Sequence, residues 1–463
     1  MMTSVLIRCL TDALGQDCVV TGDRLQLRQT RDWSDAGAAQ PLALLLPRDT
    51  AQVAAALRIC HEHRCPVAVQ GGLTGLAGGA NPMEDEVALS LCRLDRIEDL
   101  DAAAGTVLVQ AGVTLEALQQ RCDEQGWSFP LDLGARGSCQ LGGNAATNAG
   151  GNRVLRYGMM RNLILGLEVV TPDGTVLTML DRVIKNNAGF DLKHLFIGSE
   201  GTLGVITRLS LALTPRQSAR CTALCGLPNF EAALQLLRHA KTSLHGLAAF
   251  EVMWRGYFEA SLQAQHRKSP LVDAHPVYVL VESLADEQAN AQLSMEALLE
   301  RAIEDGLVDD AVVAQTGSQH EELWGIREGV SELLSLTKPC AAFDVSVSTT
   351  RMNELVHQLN TKLSSVFPDQ QHLFFGHLGD GNLHLISGPY PNPNDLLHAE
   401  DLVYQCVGAF EGSISAEHGI GVVKRDFIHH SRSPAEIALM RQLKHMLDPR
   451  GILNPGRVLA FEP

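Results

Sequence analysis

The sequence predicts an α+β protein with two domains. Its 463 residues exceed what one hydrophobic core usually holds. Strand signals alternate with glycine-rich segments before residue 217, whereas helical patterns with few glycines dominate after Pro215. We therefore expect a first domain over residues 1–217, a second α+β domain over 218–450, and a turn-rich tail over 451–463.

Composition excludes several classes of protein. The formal net charge of −16 opposes binding to nucleic acid, because phosphate backbones require a basic surface. The N-terminus lacks the pattern of a signal peptide, and no apolar run approaches the ~20 residues that span a bilayer. These features predict a cytoplasmic protein without a transmembrane segment, and leave peripheral contact with the inner membrane open. The eleven scattered cysteines are expected to be mostly buried free thiols.

The first domain begins with clear local signals. Leu42–Leu46 is a short apolar strand, and Asp49 is placed to cap the helix that follows. Val53, Leu57 and Cys60 share one face of that helix and are expected to be buried. Further strands are predicted at residues 66–69, 87–91, 106–110 and 163–170, and a turn at 172–174.

The second domain is expected to contain longer helices. Helical patterns cover residues 229–240, 286–303 and 319–336. Strand-like runs such as Val277–Val281 lie between them. Glycines become dense again only at residues 376–388, which marks that stretch for closer inspection.

Four segments rich in glycine and small residues mark the first domain. Their backbone N–H groups can approach a phosphate closely, and their Thr, Ser and Asn side chains can donate to its oxygens. One such segment alone is more often a set of turns, but several of them between strands favour a pyrophosphate site. No G-x-G-x-x-G or G-x-x-x-x-G-K-[ST] pattern occurs, so a Rossmann site and a P-loop are unsupported. The segments are residues 71–76, 137–144, 147–151 and 198–204.

Three longer runs resemble a known family. PVAVQGGLTGLAGGA, GSCQLGGNAATNAGG and GFDLKHLFIGSEGTLGVIT are similar to the FAD domain of flavoproteins of the vanillyl-alcohol oxidase type. From about residue 40 to 460, the chain resembles the D-lactate and D-2-hydroxyglutarate dehydrogenases of that superfamily. The resemblance implies FAD between two α+β subdomains of the first domain, followed by a cap domain that binds substrate. It also implies non-covalent FAD, because the first glycine segment contains no histidine for attachment.

The resemblance also implies which residues contact FAD. The first segment would wrap the pyrophosphate, the next two would form a second loop, and the stretch before Gly204 would contact the adenine end. Asn454 in the tail would return to the flavin. Asn186 and Asn187 lie near a further segment that the resemblance places by the cofactor, although Asn in loops is usually a turn former. The expected FAD-binding residues are Gly71, Gly72, Thr74, Gly75, Leu76, Gly137, Ser138, Gly142, Asn144, Thr147, Asn148, Gly151, Gly204 and Asn454.

A second constellation lies in the runs FGHLGDGNLH and SAEHGIG. Glycines between His377 and His384 permit a tight reversal that can bring both imidazoles to one side. Two histidines and the carboxylate of Glu417 suit zinc or a similar divalent ion, and they leave positions for a substrate. For any single histidine, an ordinary loop or core residue is the commoner explanation. Two separate motifs, each dense in glycine and acid, weaken that explanation.

The resemblance assigns roles within this constellation. His377, His384 and Glu417 match metal ligands, with zinc expected first and manganese as the alternative. His418 matches the general base and a substrate contact. Asp380 and Asn382 are candidates for orienting the imidazoles, and both also suit a turn. By contrast His429 and His430 are read as surface residues, because no glycine scaffold surrounds them.

Arg327, in the run LWGIRE, is the candidate that binds a substrate carboxylate. A guanidinium makes a planar bidentate pair with a carboxylate, which a lysine cannot copy. The alternative is a surface arginine paired with Glu328 or Glu332 on one helix face. The resemblance favours the substrate role, with Ser331 as a further substrate contact.

Two positions depart from the 2-hydroxyglutarate branch of the family. Ala342 stands where those enzymes carry a lysine for the second carboxylate, and Ile386 stands where they tend to carry an asparagine. Loss of a cation and an amide favours a monocarboxylate or an apolar 2-hydroxy acid over a long dicarboxylate. The run AAFEVM at 248–253 still resembles the 2-hydroxyglutarate branch, so both substrates stay open.

The sequence therefore predicts a flavin-dependent dehydrogenase of a small D-2-hydroxy acid. Electrons would pass to an electron-transfer flavoprotein or a quinone. A flavin oxidase that uses oxygen on an alcohol is a second hypothesis, and an FAD-carrying subunit of an electron-transfer complex is a third. The histidine motifs oppose both. The oligomeric state stays open, a homodimer included.

Overall fold

The structure is a computed structural model that describes residues 2–26 and 29–460. Elements of the first half are α1 (Met2–Leu14), β1 (Val19–Val20), α2 (Asp23–Gln26), β2 (Leu44–Leu45), α3 (Thr50–His63), β3 (Val67–Gln70), β4 (Val87–Ser90), β5 (Ile97–Asp101), β6 (Thr106–Gln110), α4 (Leu115–Asp123), β7 (Trp127–Ser128), α5 (Leu141–Ala146), α6 (Val154–Tyr157), α7 (Met160–Leu163), β8 (Ile164–Val170), β9 (Val176–Met179), α8 (Lys193–Phe196), β10 (Val205–Ala212) and β11 (Thr214–Pro215). Those of the second half are β12 (Ala219–Leu227), α9 (Phe230–Ser243), β13 (Leu247–Trp254), α10 (Arg255–Ala264), β14 (Val277–Ala285), α11 (Gln288–Glu304), β15 (Asp310–Val313), α12 (Gly317–Arg327), α13 (Val330–Thr337), β16 (Ala341–Ser346), α14 (Met352–Val366), β17 (Gln371–His377), β18 (Asn382–Gly388), α15 (Pro393–Ala409) and α16 (Pro434–Leu447).

Contacts between residues divide the chain into two compact units. The first unit comprises the chain up to Gly151, Gly158–Arg216 and the chain from Glu417 onward, and the second comprises Asn152–Tyr157 and Gln217–Ala416. This division differs from the predicted second domain over 218–450, because residues 417–450 cluster with the first unit. Hydrogen bonds explain the difference. The Val422 N–H donates to the Ala77 carbonyl (2.9 Å), and Lys444 Nζ donates to the Thr202 carbonyl (2.8 Å).

The first unit contains two main sheets over one core. One sheet has the order β1–β2–β4–β3 and the other has the order β5–β6–β10–β8–β9. Strands β2, β4 and β3 run parallel, whereas the five-stranded sheet is antiparallel. Leu45, Leu57 and Val169 are fully buried in the shared core.

Local predictions for the first unit are confirmed. The Asp49 side chain accepts the Gln52 N–H (2.8 Å) and so caps α3. Val53, Leu57 and Cys60 on that helix are buried. The strands predicted near residues 66–69, 87–91, 106–110 and 163–170 are β3, β4, β6 and β8.

The second unit is built on one antiparallel sheet of seven strands. Their order is β15–β12–β14–β13–β17–β18–β16. Helices α10, α12 and α13 contribute Tyr257, Trp324 and Leu333 to a core on one face of this sheet. That face also carries the candidate site. The helices predicted at 229–240 and 286–303 are confirmed as α9 and α11.

The single helix predicted over residues 319–336 is wrong, because the structure has two helices there, α12 and α13. Side chains of α10 terminate α12. The hydroxyls of Tyr257 and Ser261 donate to the carbonyls of Arg327 and Ile326, each at 2.6 Å. A Cβ on Gly329 would lie 2.4 Å from Ser261 Oγ, so only glycine fits at this break.

Two predictions concern the chain as a whole. None of the helices within residues 2–26 and 29–460 has the length and apolar character needed to cross a membrane. Most of the eleven cysteines are buried, as predicted.

Candidate active site

The two predicted metal histidines lie side by side on the seven-stranded sheet. His377 ends β17 and His384 lies in the antiparallel strand β18, with ring centroids 5.3 Å apart. The predicted reversal between them includes Gly381, which adopts a φ of +86° that favours glycine. The hairpin thus places both imidazoles on the sheet face that α12 covers.

Glu417 completes the predicted triad. The preceding residue, Ala416, donates its N–H to the Asp344 carbonyl of β16 (3.3 Å), which holds the chain beside the sheet. One ligand atom each of His377, His384 and Glu417 lie within 4.8 Å of one another. The N–H of Gly151 donates to Glu417 Oε1 (2.8 Å) and orients its carboxylate. Two imidazoles and one carboxylate at this spacing fit a divalent ion such as zinc.

Sequence reasoning missed a buried carboxylate beside this triad. Glu251 of β13 lies opposite His377 in the sheet and is 1% exposed. Its Oε1 lies 2.8 Å from His377 Nδ1, and its Oε2 accepts the Nε–H of Arg327 at 2.8 Å. Burial acts to raise the pKa of Glu251, but the charges and hydrogen bonds of His377 and Arg327 outweigh it and hold the pKa below its usual value.

Arg327 is buried rather than paired on the helix surface. Its Nη2 lies 3.3 Å from His377 Nε2, and its guanidinium carbon lies 4.7 Å from the centre of the Phe375 ring. The guanidinium therefore lies beside the two predicted metal histidines, where the predicted binding of a substrate carboxylate requires it. Ser331, the other predicted substrate contact, is exposed in the first turn of α13 and its role stays a prediction.

Helix α12 places Arg327 through three polar contacts across three neighbouring strands. His320 Nδ1 lies 2.5 Å from Thr222 Oγ1 of β12, and Trp324 Nε1 donates to Glu282 Oε2 of β14 (3.1 Å). The Arg327 bond to β13 is the third contact. Positions i, i+4 and i+7 share one helix face, so these contacts fix the rotation of α12 over the sheet.

Asn382 has a buried side chain that is suited to hydrogen-bond a ligand at this site. It lies opposite His377 across β17 and β18, so the two side chains share a face, and it is 4% exposed. Its backbone N–H donates to Asp380 Oδ1 (3.2 Å) within the turn between β17 and β18. Among the described residues, neither Oδ1 nor Nδ2 of Asn382 has a hydrogen-bond partner. Buried amides are normally satisfied, so this one fits a bound ligand or water.

The segment that carries His418 is held within the first unit. Glu200 accepts the N–H groups of Ile420 (2.7 Å) and Gly421 (2.8 Å). Gly419 has a φ of +79°, and a Cβ there would lie 2.8 Å from Glu200 Oε1. Burial raises the pKa of Glu200, while the two N–H donors oppose that rise. The turn after His418 is therefore fixed by a carboxylate that the sequence analysis did not single out.

The four predicted glycine segments converge in the first unit. A Cβ on Gly72 would lie 2.0 Å from the Ser138 carbonyl oxygen, so the first two segments touch through their backbones. The Gly198 N–H donates to the Ala145 carbonyl (3.1 Å). Asn454 joins two of these regions. Its Oδ1 accepts the Val69 N–H (2.8 Å), and its Nδ2 donates to the Glu200 carbonyl (2.7 Å).

Two buried acceptors fit a hydroxyl-bearing cofactor at these segments. Within the part of the chain that the structure describes, Asp32 Oδ2 and Gln140 Oε1 have no hydrogen-bond partner. A Cβ on Gly75 would lie 3.5 Å from Asp32 Oδ2, and a Cβ on Gly71 would lie 3.9 Å from Gln140 Cβ. The ribityl and ribose hydroxyls of FAD are donors of the required kind.

Some predicted FAD residues also have packing reasons to be glycine. A Cβ on Gly142 would lie 2.6 Å from Ala111 Cβ, and its N–H already donates to the Ala111 carbonyl (2.8 Å). A Cβ on Gly204 would lie 2.6 Å from Val169 Cγ1. Direct contact of these two residues with FAD stays a prediction.

Comparison with protein families gives two matches. Residues 41–180 match the family described as FAD binding domain. Residues 216–458 match the family described as FAD linked oxidases, C-terminal domain. Together the two matches account for most of the chain.

Named relatives are similar over nearly the whole chain. D-2-hydroxyglutarate dehydrogenase of Bos taurus, a mitochondrial protein, is 42% identical over 92% of this chain and 78% of its own length. D-2-hydroxyglutarate dehydrogenase of Xanthomonas citri pv. viticola is 41% identical over 92% of this chain and 91% of its own. A mitochondrial protein of Schizosaccharomyces pombe, provisionally named a D-lactate dehydrogenase, is 39% identical over 92% of this chain and 83% of its own.

Solved structures confirm the predicted fold class. p-Cresol methylhydroxylase superposes with a TM-score of 0.77 at 16% identity and covers 99% of this chain and 96% of its own. Alkyldihydroxyacetonephosphate synthase superposes with a TM-score of 0.75 at 18% identity and covers 98% of this chain and 84% of its own. The α+β fold of the vanillyl-alcohol oxidase type is thus shared at low sequence identity.

Proposed function

Because this chain belongs to the FAD-linked oxidase family and is an FAD-dependent hydroxy-acid dehydrogenase, we propose that it oxidises a small D-2-hydroxy acid to the 2-oxo acid with the help of a divalent metal. The observation that carries the metal proposal is the triad of His377, His384 and Glu417, whose ligand atoms lie within 4.8 Å of one another. Zinc is the expected ion and manganese the alternative.

Each residue of the site has a proposed task. Arg327 binds the substrate carboxylate, since its guanidinium stands 3.3 Å from His377 Nε2. A metal held by the triad would lower the pKa of the substrate hydroxyl, and FAD bound at the glycine segments would accept the hydride. His418 takes the hydroxyl proton on its neutral imidazole as the C2–H bond breaks. Asn382 offers an amide to the bound substrate or its water.

The proposed size of the substrate rests on one cross-strand pair of the seven-stranded sheet. Ala342 and Ile386 are direct cross-strand partners in β16 and β18, so the two departures from the 2-hydroxyglutarate branch coincide. Ile386 is 2% exposed and packs with Leu373 and Phe375 in an apolar cluster. No lysine or asparagine stands at this pair to hold a second carboxylate. We therefore favour a monocarboxylate such as D-lactate over D-2-hydroxyglutarate, the substrate named for several relatives.

Electrons must leave the reduced flavin after each turnover. We propose an electron-transfer flavoprotein or a quinone as the acceptor and a cytoplasmic location, as expected from the sequence. FAD is proposed to be non-covalent, since the first glycine segment, residues 71–76, contains no histidine.

Metal removal tests the proposal directly. FAD-loaded protein stripped by a chelator is expected to lose most of its turnover of D-2-hydroxy acids and to regain it with Zn²⁺ or Mn²⁺. Glu417→Ala is expected to raise KM and lower kcat together, because the metal binds and activates the same substrate. Glu354→Ala, at an exposed ion pair with Arg351, is the matched control. Full activity in a metal-free preparation would defeat the metal assignment.

A further inference from the structure

We propose that Glu251 is a positioning residue that holds the metal ligand His377 and the substrate-binding Arg327 in one fixed arrangement. This inference rests on the proposed metal site and extends it. Glu251 lies in β13, and its two carboxylate oxygens are divided between the two residues at 2.8 Å each. One buried carboxylate thus joins the groups that would bind the metal and the substrate.

The first task of Glu251 is to set the tautomer of His377. An ionised carboxylate only accepts hydrogen bonds, so the His377 Nδ1 at 2.8 Å must carry the proton. The lone pair is then on Nε2, the nitrogen that can bind a metal. Carboxylates that orient metal-binding histidines in this way raise ligand basicity and fix the ring. Strand pairing supports the arrangement, because Glu251 and His377 are direct partners of β13 and β17.

The second task concerns charge. The guanidinium of Arg327 stands 3.3 Å from His377 Nε2, so it would repel a divalent cation bound at that nitrogen. Glu251 supplies the opposing negative charge at 2.8 Å from Arg327 Nε. Because Glu251 binds Nε, it does not itself occupy either Nη group of Arg327. Its own exposure is 1%, so water does not screen this effect.

Metal affinity tests the proposal without reference to turnover. The Zn²⁺ affinity of the full-length, FAD-loaded protein is measured after metal stripping, by competition with a chromophoric chelator. Glu251→Gln is expected to weaken binding by about 10- to 100-fold, the usual loss when such a supporting carboxylate is removed. Glu251→Asp keeps the charge but is one methylene shorter, so it is expected to fold and to bind Zn²⁺ severalfold more weakly than wild type.

Glu282→Gln separates this role from a general need for buried carboxylates. Glu282 lies on the neighbouring strand β14, is also 1% exposed, and contacts the same helix through Trp324. Its variant is expected to bind Zn²⁺ within about threefold of wild type. Wild-type affinity in both Glu251 variants, or an equal loss in Glu282→Gln, would overturn the positioning role. If the wild-type protein itself binds no Zn²⁺, the metal site of the proposed function fails and this inference with it.

Discussion

Asn382 shows how a single side chain links stability to function. Its amide is buried opposite His377, and neither of its polar atoms has a partner among the described residues. A buried polar group without a partner costs about 1–3 kcal/mol. A ligand, an ordered water or a catalytic role usually accounts for such a group, so the cost is consistent with substrate binding.

Asn382→Leu is expected to stabilise the ligand-free protein and to impair turnover. Leucine has a similar size and no unmet hydrogen bonds, so the free energy of unfolding should rise by about 1 kcal/mol. Without the amide, kcat/KM for the substrate should fall at least tenfold. Chemical denaturation and steady-state kinetics measure the two effects. A destabilised variant with normal kinetics would assign Asn382 a structural role instead.

The residues of the candidate site differ in how clearly sequence patterns predict them. The triad could be predicted because glycines and acids surround His377 and Glu417 in short motifs. Glu251 could not, because its two partners lie 76 and 126 residues away and only the pairing of β13 with β17 brings them together. Its one local signal is an acidic residue within the otherwise apolar run LAAFEVMW.

Helix α12 is held in one position because three of its side chains form polar contacts with three neighbouring strands. His320 is the contact farthest from His377 and His384, and its side chain is 8% exposed. Burial lowers the pKa of His320 to about 4, which keeps the imidazole neutral in the folded protein. Protonation of His320 therefore opposes the packing of α12 against the sheet.

This shift predicts a loss of stability in acid. The unfolded chain takes up the His320 proton near pH 6.5, whereas the folded protein does so only near pH 4. The contribution of neutral His320 to the free energy of unfolding is therefore fully present above pH 6.5. It is lost as the pH drops to 4, by on the order of 2 kcal/mol. His320→Gln should remove this part of the pH dependence. Denaturation midpoints of both proteins, measured in chelator between pH 4 and 7, test it; parallel curves would contradict it.

The β16–β18 pair is predicted to control substrate length. Ala342 and Ile386 face each other in the register, so Ala342→Lys with Ile386→Asn restores a cation and an amide at one place. The double variant should improve kcat/KM for D-2-hydroxyglutarate relative to D-lactate by about tenfold, since one charge-assisted pair contributes about 1.5–3 kcal/mol. Ala342→Gln with Ile386→Leu is the uncharged control. An unchanged preference would show that another cation recognises the second carboxylate.

Elements were predictable where their signals are local. The Asp49 cap and the buried face of α3 follow from a dozen adjacent residues. The boundary between α12 and α13 does not, because periodicity continues through it while the hydroxyls of Tyr257 and Ser261, 65 to 70 residues earlier, bind the freed carbonyls.

For the whole molecule, the fold class was predictable from the order of motifs, but the path of the chain was not. Residues 417–450 follow the second unit along the chain, and the sequence predicts them as part of it. In the structure they return to the first unit, where Glu200 and Ala77 bind the backbone of residues 420–423. Such long-range backbone contacts leave no periodic pattern in the sequence.

The central claim, metal-assisted oxidation of a D-2-hydroxy acid by FAD, is tested most directly by anaerobic bleaching of the bound flavin. The purified protein is mixed with D- and L-lactate and D-2-hydroxyglutarate, with and without chelator, and flavin absorbance is followed. We expect rapid bleaching by D-lactate, slower bleaching by D-2-hydroxyglutarate, none by the L-acid, and loss of the fast phase in chelator. Flavin that no D-2-hydroxy acid reduces, or that is reduced equally fast without metal, would contradict the account.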